Sequence, residues 1–112
     1  MLAMDLANIP FQTIDWTAVV PTRHPGETGH SLWRTVEVGN ARIRIVEYTP
    51  GYVADHWCER GHVVYVLDGE LTSELRDGRS FVVRTGESYV VASGDGAHRS
   101  RTGSGARLLI VD

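Results

Sequence analysis

Three histidines and one cysteine in this chain stand at spacings that could hold a metal ion. His56, Cys58 and His62 fall within seven positions of the stretch "GYVADHWCERGHVVYVLDGEL" (51–71), and His98 follows the glycine turn "SGDGA" (93–97). Imidazole suits zinc, iron, nickel and copper, and a thiolate favours the softer ions. The set holds no carboxylate, which points to zinc, nickel or iron rather than magnesium or calcium. Spacing alone leaves a plainer alternative open. Histidines are often half-buried polar residues, and a lone cysteine is often a small core hydrophobe.

To meet, these side chains need a scaffold. If His56 and His62 oppose each other on an antiparallel pair, residues 57–61 form a five-residue connection containing Gly61, an allowed hairpin length. Directly paired residues share a face, so both imidazoles would aim the same way with Cys58 at the bend. His98 would begin a separate strand, with Arg99 and Arg101 alternating toward solvent.

The rest of the chain supplies such strands. The pairs and clusters at 38–41, 67–70, 76–79 and 93–97 read as turns, because Asn and Gly tolerate the positive φ that hairpins demand. Between them the spacing predicts strands near 14–20, 32–38, 42–49, 52–57, 62–67, 70–76, 79–84, 88–92, 97–102 and 106–111. Many short strands with regular turn signals indicate an all-β sandwich or barrel. Helix signals are weak, and residues 1–8 suffice for one turn. The stretch "PTRHPGETGHS" (21–31) reads as a long loop, a plain connector or a cover over a barrel mouth. "HVVYVL" (62–67) and "ARLLIV" (106–111) are apolar on both faces, so each needs a layer on either side. A partner chain or an N-terminal strand could supply the outer layer, which predicts a homodimer with 9–20 as its contact.

Composition narrows the partners. The chain has 112 residues, which bounds it to one domain, 1–112, with 1–13 as an N-terminal arm. Hydrophobic residues make up 42% and the net charge is −3, with no basic run to attract nucleic acid or an anionic membrane. One cysteine rules out an internal disulfide and suits a reducing compartment, which predicts the cytoplasm. No secretory signal is evident at the start, and no apolar stretch approaches the roughly 20 residues of a membrane span.

The same residues carry a resemblance. Gly51, His56-Trp57-Cys58, His62 and Gly69 resemble the first motif of the cupin superfamily, and Gly86, Ala92-Ser93-Gly94 and His98 resemble its second. The order Asp55-His56-Trp57-Cys58, with "HPGETG" (24–29), "WRT" (33–35) and "VEYTPG" (46–51), is similar to the small cupins marked by a DHCW motif. The resemblance implies a single-domain antiparallel β-barrel of the jelly-roll, or double-stranded β-helix, type with little helix. It implies that His56 and His98 match metal histidines. Cys58 stands where the family has its second histidine, and His62 where it has a glutamate. The expected site is therefore His56, Cys58, His62 and His98 around one divalent transition metal, with a small-molecule ligand in the barrel.

Two functions follow from that expectation. If Cys58 stays back, an open coordination position suits a metalloenzyme of oxygenase or isomerase type acting on a small organic molecule. If Cys58 closes a four-ligand site, a binding or sensing module is preferred. Glu47 is a candidate acid or base, Asp55 a candidate to orient His56, and Trp33, Tyr48, Tyr65 and Tyr89 candidates to line a pocket. His24 and His30 read as solvated loop residues.

Overall fold

The computed structural model describes residues 7–94 and 96–112. Among these, the chain forms eight strands: β1 (Thr22–Pro25), β2 (His30–Val38), β3 (Ala41–Tyr48), β4 (His62–Leu75), β5 (Ser80–Arg84), β6 (Ser88–Val91), β7 (His98–Arg101) and β8 (Ala106–Val111). Every pairing is antiparallel, and the main path runs β1-β2-β3-β8-β4-β5. The long strand β4 belongs to two sheets. Its first half lies between β8 and β6, and its second half between β5 and β7. The hydrogen bonding does not run all the way round. The molecule is thus an all-β, two-sheet version of the expected barrel rather than a closed one.

Gly69 makes the shared strand possible. The sequence places a turn at 67–70, but β4 continues through it, with a register shift between Val66 and Asp68. Gly69 takes φ +80°, and a Cβ there would run into the Gly105 carbonyl oxygen. A bulge with a positive-φ glycine bends a strand without ending it, and here the bend carries β4 from one sheet to the other.

Side chains from both sheets meet in one core: Val46, Val64, Val66, Leu71, Val83, Leu108 and Ile110 are buried together. Burying one such side chain is worth about 1.5–3 kcal/mol. The alternation puts Arg42, Arg44, Val46 and Tyr48 of β3 on this inner side, with Ile43, Ile45 and Glu47 on the opposite face, where Ile45 is nonetheless buried. Arg44 is buried with the core residues.

Three sequence expectations need correction. Residues 14–20 are not a strand: Asp15 accepts hydrogen bonds from the Thr17 backbone N–H (3.0 Å) and hydroxyl (2.6 Å), winding Trp16–Ala18 into one 3-10 turn. The stretch 21–31 is not all loop. Thr22–Pro25 pairs with the start of β2, and the Gly26 N–H donates to the Gly29 carbonyl at 3.0 Å to close the tip. Residues 52–57 are not a strand of their own, and 57–61 does not close a hairpin onto β4. Instead 52–58 runs beside β7 through isolated bridges, Val53 to Arg101 and Cys58 to His98. Any turn at 1–6 lies outside the described residues. Among the described residues, no helix is long and apolar enough to cross a membrane.

Candidate metal centre

The bridge between Cys58 and His98 builds the first half of the site. Each backbone N–H donates to the other's carbonyl, at 2.7 and 3.0 Å. Residues paired in this way point their side chains to one face. His62 comes from a second direction, as the first residue of β4. Among the described residues, one group of histidine, cysteine and acidic side chains gathers three ligand atoms: Cys58, His62 and His98 lie within 4.8 Å of one another. His98 is buried, and the other two are partly so.

The two imidazoles face each other through nitrogen. His62 Nε2 and His98 Nε2 are 2.9 Å apart, with the rings nearly perpendicular at 78°. Their other nitrogens decide where the protons sit. His98 Nδ1 faces the Gly96 carbonyl oxygen at 3.3 Å, so it donates there. His62 Nδ1 faces Asp112 Oδ2 at 3.5 Å, an electrostatic contact longer than a hydrogen bond. Both partners favour a proton on Nδ1. That leaves two Nε2 lone pairs close together, an arrangement that suits a shared proton or a metal cation bound by both. The residues therefore fit a metal ion. Two nitrogens bound to one ion at about 2.0–2.1 Å are themselves roughly 3 Å apart.

The surroundings tune these groups. The hydrogen bond between Cys58 and His98 lowers the thiol pKa and raises that of the imidazole, drawing the pair toward thiolate and imidazolium. Burial lowers His62, keeping it neutral and ready to ligate. Tyr89, on β6, points its hydroxyl at His62 Nε2 from 3.3 Å. Burial pushes that hydroxyl up to about 12, so it stays protonated.

Behind His62 lies Asp112, whose side chain is only 1% exposed. It accepts from Arg42 Nε at 2.9 Å and Arg44 Nη2 at 2.9 Å, and Arg60 Nε stands 3.4 Å away. Burial alone would raise its pKa. The contact with His62, the hydrogen bond from Arg42 and the charges of Arg44 and Arg42 outweigh that and hold it well below the usual carboxylate range. A carboxylate behind a ligating histidine fixes ring orientation and tautomer. All these groups border a cavity of about 280 Å³. A larger groove of about 730 Å³ opens beyond Tyr89 and His98, but of the three ligand residues it touches only His98.

The cupin domain model matches residues 44–112, which include the whole cluster. The chain belongs to the cupin domain family. No curated protein sequence matches it. Among solved structures, this cupin resembles the polyketide cyclase RemF from Streptomyces resistomycificus. The two are 26% identical, with a TM-score of 0.72 over 91% of this chain and 78% of RemF. A predicted oxalate decarboxylase from Thermotoga maritima gives 15% identity and a TM-score of 0.76 over 89% of this chain and 96% of its own. Ectoine synthase from P. lautus gives 18% and 0.70 over 90% and 76%. At 15% and 18%, the last two likenesses show the fold alone.

Not every residue singled out in the sequence reaches the centre. His56 borders the cavity but stands outside the cluster, its side chain 76% exposed and its Nδ1 2.6 Å from Asp55. Asp55 does orient His56, though in solvent. Glu47 lies on the outer face beside Arg34 (3.8 Å) and Arg107 (3.6 Å), away from the cavity. Trp33, Tyr48 and Tyr89 line the cavity, while Tyr65 points outward. His24 stacks on Trp33 with ring centroids 3.8 Å apart, and His30 Nδ1 is 3.5 Å from Arg23. Sequence reasoning missed Asp112, Arg42, Arg44 and Arg60. The one signal for Asp112 was an acidic residue closing the apolar run "ARLLIV".

Proposed function

We propose that this cupin is a metalloenzyme in which Cys58, His62 and His98 hold one divalent transition metal beside the 280 Å³ cavity. The observation that carries the proposal is the pair of Nε2 atoms at 2.9 Å, each with its Nδ1 turned to an acceptor. Three protein ligands with His56 outside the cluster favour an open site, the pattern of catalytic rather than structural centres. When bound, such an ion supplies Lewis-acid polarisation of a substrate oxygen or activation of a bound water. The chain's own residues supply the rest. Asp112 holds His62 in one tautomer, Tyr89 presents a hydroxyl that stays protonated, and Trp33, Val46 and Ile110 exclude water from one wall. The likeness to a polyketide cyclase supports a small organic substrate. Zinc, iron and nickel all suit two nitrogens and one sulfur.

The test is metal content after purification without a histidine tag, then titration with zinc, nickel and ferrous iron against a competing chelator. One ion per chain is expected. His62→Ala and His98→Ala should each lower affinity at least 100-fold, and Cys58→Ser at least 10-fold. His56→Ala should change it less than about threefold. Absence of uptake, or a His62→Ala/His98→Ala double variant that binds like wild type, sinks the proposal. A loss at His56 as large as at His98 would instead favour the closed four-ligand module. We further propose that the chain works as a homodimer.

A further inference from the structure

The cavity beside the metal centre holds more positive charge than its neighbours answer. Arg42, Arg44 and Arg60 all converge on Asp112, and among the described residues that carboxylate is the acidic partner the three share. Its Oδ2 alone faces Arg44 Nη2 at 2.9 Å, Arg42 Nη2 at 3.1 Å, Arg60 Nε at 3.4 Å and His62 Nδ1 at 3.5 Å. Arg42 and Arg44 hydrogen-bond to that oxygen, which fills its two lone pairs and leaves Arg60 and His62 at ion-pair distance only. Among the described residues, the three guanidinium groups share this one side-chain carboxylate as their ion-pair partner.

Arg44 shows the imbalance most sharply. Its side chain is 6% exposed, it borders the cavity, and its Nε is buried with no hydrogen-bond acceptor. A buried, charged N–H without a partner is costly. Burial and the neighbouring Arg42 both press its pKa down, yet a guanidinium does not give up its proton in proteins. Arg99, on another part of the wall, also has a buried Nε without a hydrogen-bond partner, but Glu27 at 3.9 Å and Glu74 at 3.7 Å answer its charge. The Arg44 guanidinium carbon lies over the face of Trp33, 4.4 Å from the ring centroid.

We infer that the cavity binds a small organic carboxylate, with its acid group received by Arg44 and Arg60 and its carbon body set against Val46 and Ile110. The guanidinium fork matches a planar two-oxygen acid, as Asp112 itself demonstrates with Arg42. The apolar wall calls for a carbon body, which inorganic anions lack. A volume of about 280 Å³ limits that body to a small ring or short chain. The acid lies close to His62, which places the rest of the molecule beside the metal cluster. This names the substrate class for the site proposed above and rests on that cavity being the functional one.

The experiment is calorimetric titration of the full chain, chelator-treated and zinc-loaded, with benzoate, benzamide and inorganic phosphate. Benzoate is expected to bind at least tenfold more tightly than benzamide and than phosphate in both forms of the protein, and to weaken as salt rises. Arg60→Gln, at a half-exposed position, should weaken benzoate at least fivefold while leaving benzamide unchanged. Arg44→Gln should weaken it further if it folds. Equal binding of benzoate and benzamide, tighter binding of phosphate, no benzoate binding at all, or an Arg60→Gln variant that binds benzoate as wild type overturns the inference. Benzoate binding that appears only with zinc and ignores Arg60 also overturns it, while leaving the metal site standing. If neither zinc nor any arginine-dependent benzoate binding is found, both proposals fall.

Discussion

At the scale of single residues, His62 depends on what stands behind it. Asp112 faces its Nδ1 and is the counter-charge to three arginines, so its loss should be felt in stability before function. Replacing one member of a buried ion network leaves uncompensated charge and costs about 3–5 kcal/mol. Asp112→Asn should therefore lower unfolding free energy at neutral pH by roughly 3 kcal/mol. The folded carboxyl is held below its unfolded value of about 3.9, so its contribution is complete above that value. It is lost as pH falls through the depressed folded value, because the unfolded state then binds the proton first. Urea unfolding of wild type and variant from pH 7 down to about pH 3 should show a gap that is widest at neutral pH and narrows below about pH 4. A gap that stays constant with pH would refute this account of Asp112. None of this was legible in the sequence, where Asp112 is one acidic residue after an apolar run. Its partners lie about 50–70 positions away in the chain, and the pairings of β8 with β3 and with β4 bring them together.

At the scale of elements, the sequence was clear where local chemistry decides and silent where pairing decides. The alternating run "ARIRIVEY" shows a strand, and β3 forms as expected. Its orientation could not be read. Ordinary hydrophobic logic turns the isoleucines inward, but here the arginine face is inside because the cavity and Asp112 lie there. Cys58 and His98 stand out in the sequence and lie side by side in the structure, but the expected hairpin between His56 and His62 does not form. The true partner of 52–58 is β7, some 40 residues later, and no local turn announces it. Gly69 illustrates the same limit, since a Gly after Asp reads equally as a turn or a bulge. The two cases differ in cost. Gly78 takes φ +100° at a real turn with open space around it, so Gly78→Ala should lose only the positive-φ penalty of about 1–2 kcal/mol. Gly69→Ala adds a clash with the Gly105 backbone, which no side-chain rotation relieves. It should lose at least about 1 kcal/mol more than Gly78→Ala in urea unfolding. It should also weaken metal uptake, since β4 carries His62. Equal losses at the two glycines would mean that the bend at Gly69 is not a tight one.

At the scale of the whole molecule, one sheet face is left with too little to cover it. Val63 and Tyr65 of β4 and Val90 of β6 point outward, 45%, 40% and 73% exposed, and Val63 sits directly opposite Val90. Ile43, Leu109 and Val111 extend that face across β3 and β8. Ahead of β1, Phe11 of the N-terminal arm is 96% exposed and Val20 is 81% exposed. A monomer has little reason to leave an aromatic ring so open, and single exposed apolar residues become informative when they form a contiguous patch. Two such chains placed face to face, each arm lying across the other's outer sheet, would cover both. The expected outcome in multi-angle light scattering is a dimer of about twice 12.4 kDa at micromolar concentration. A stable interface buries about 1,200–2,000 Å² in total, so one charge in its middle should be enough to split it. Val90→Glu is the sharp test, because Val90 is exposed and belongs neither to the Cys58, His62 and His98 cluster nor to the lining of the small cavity. The variant should run as a folded monomer with metal uptake intact. Wild type that is monomeric across the whole concentration range, or a Val90→Glu variant that remains dimeric, would remove this face from the interface.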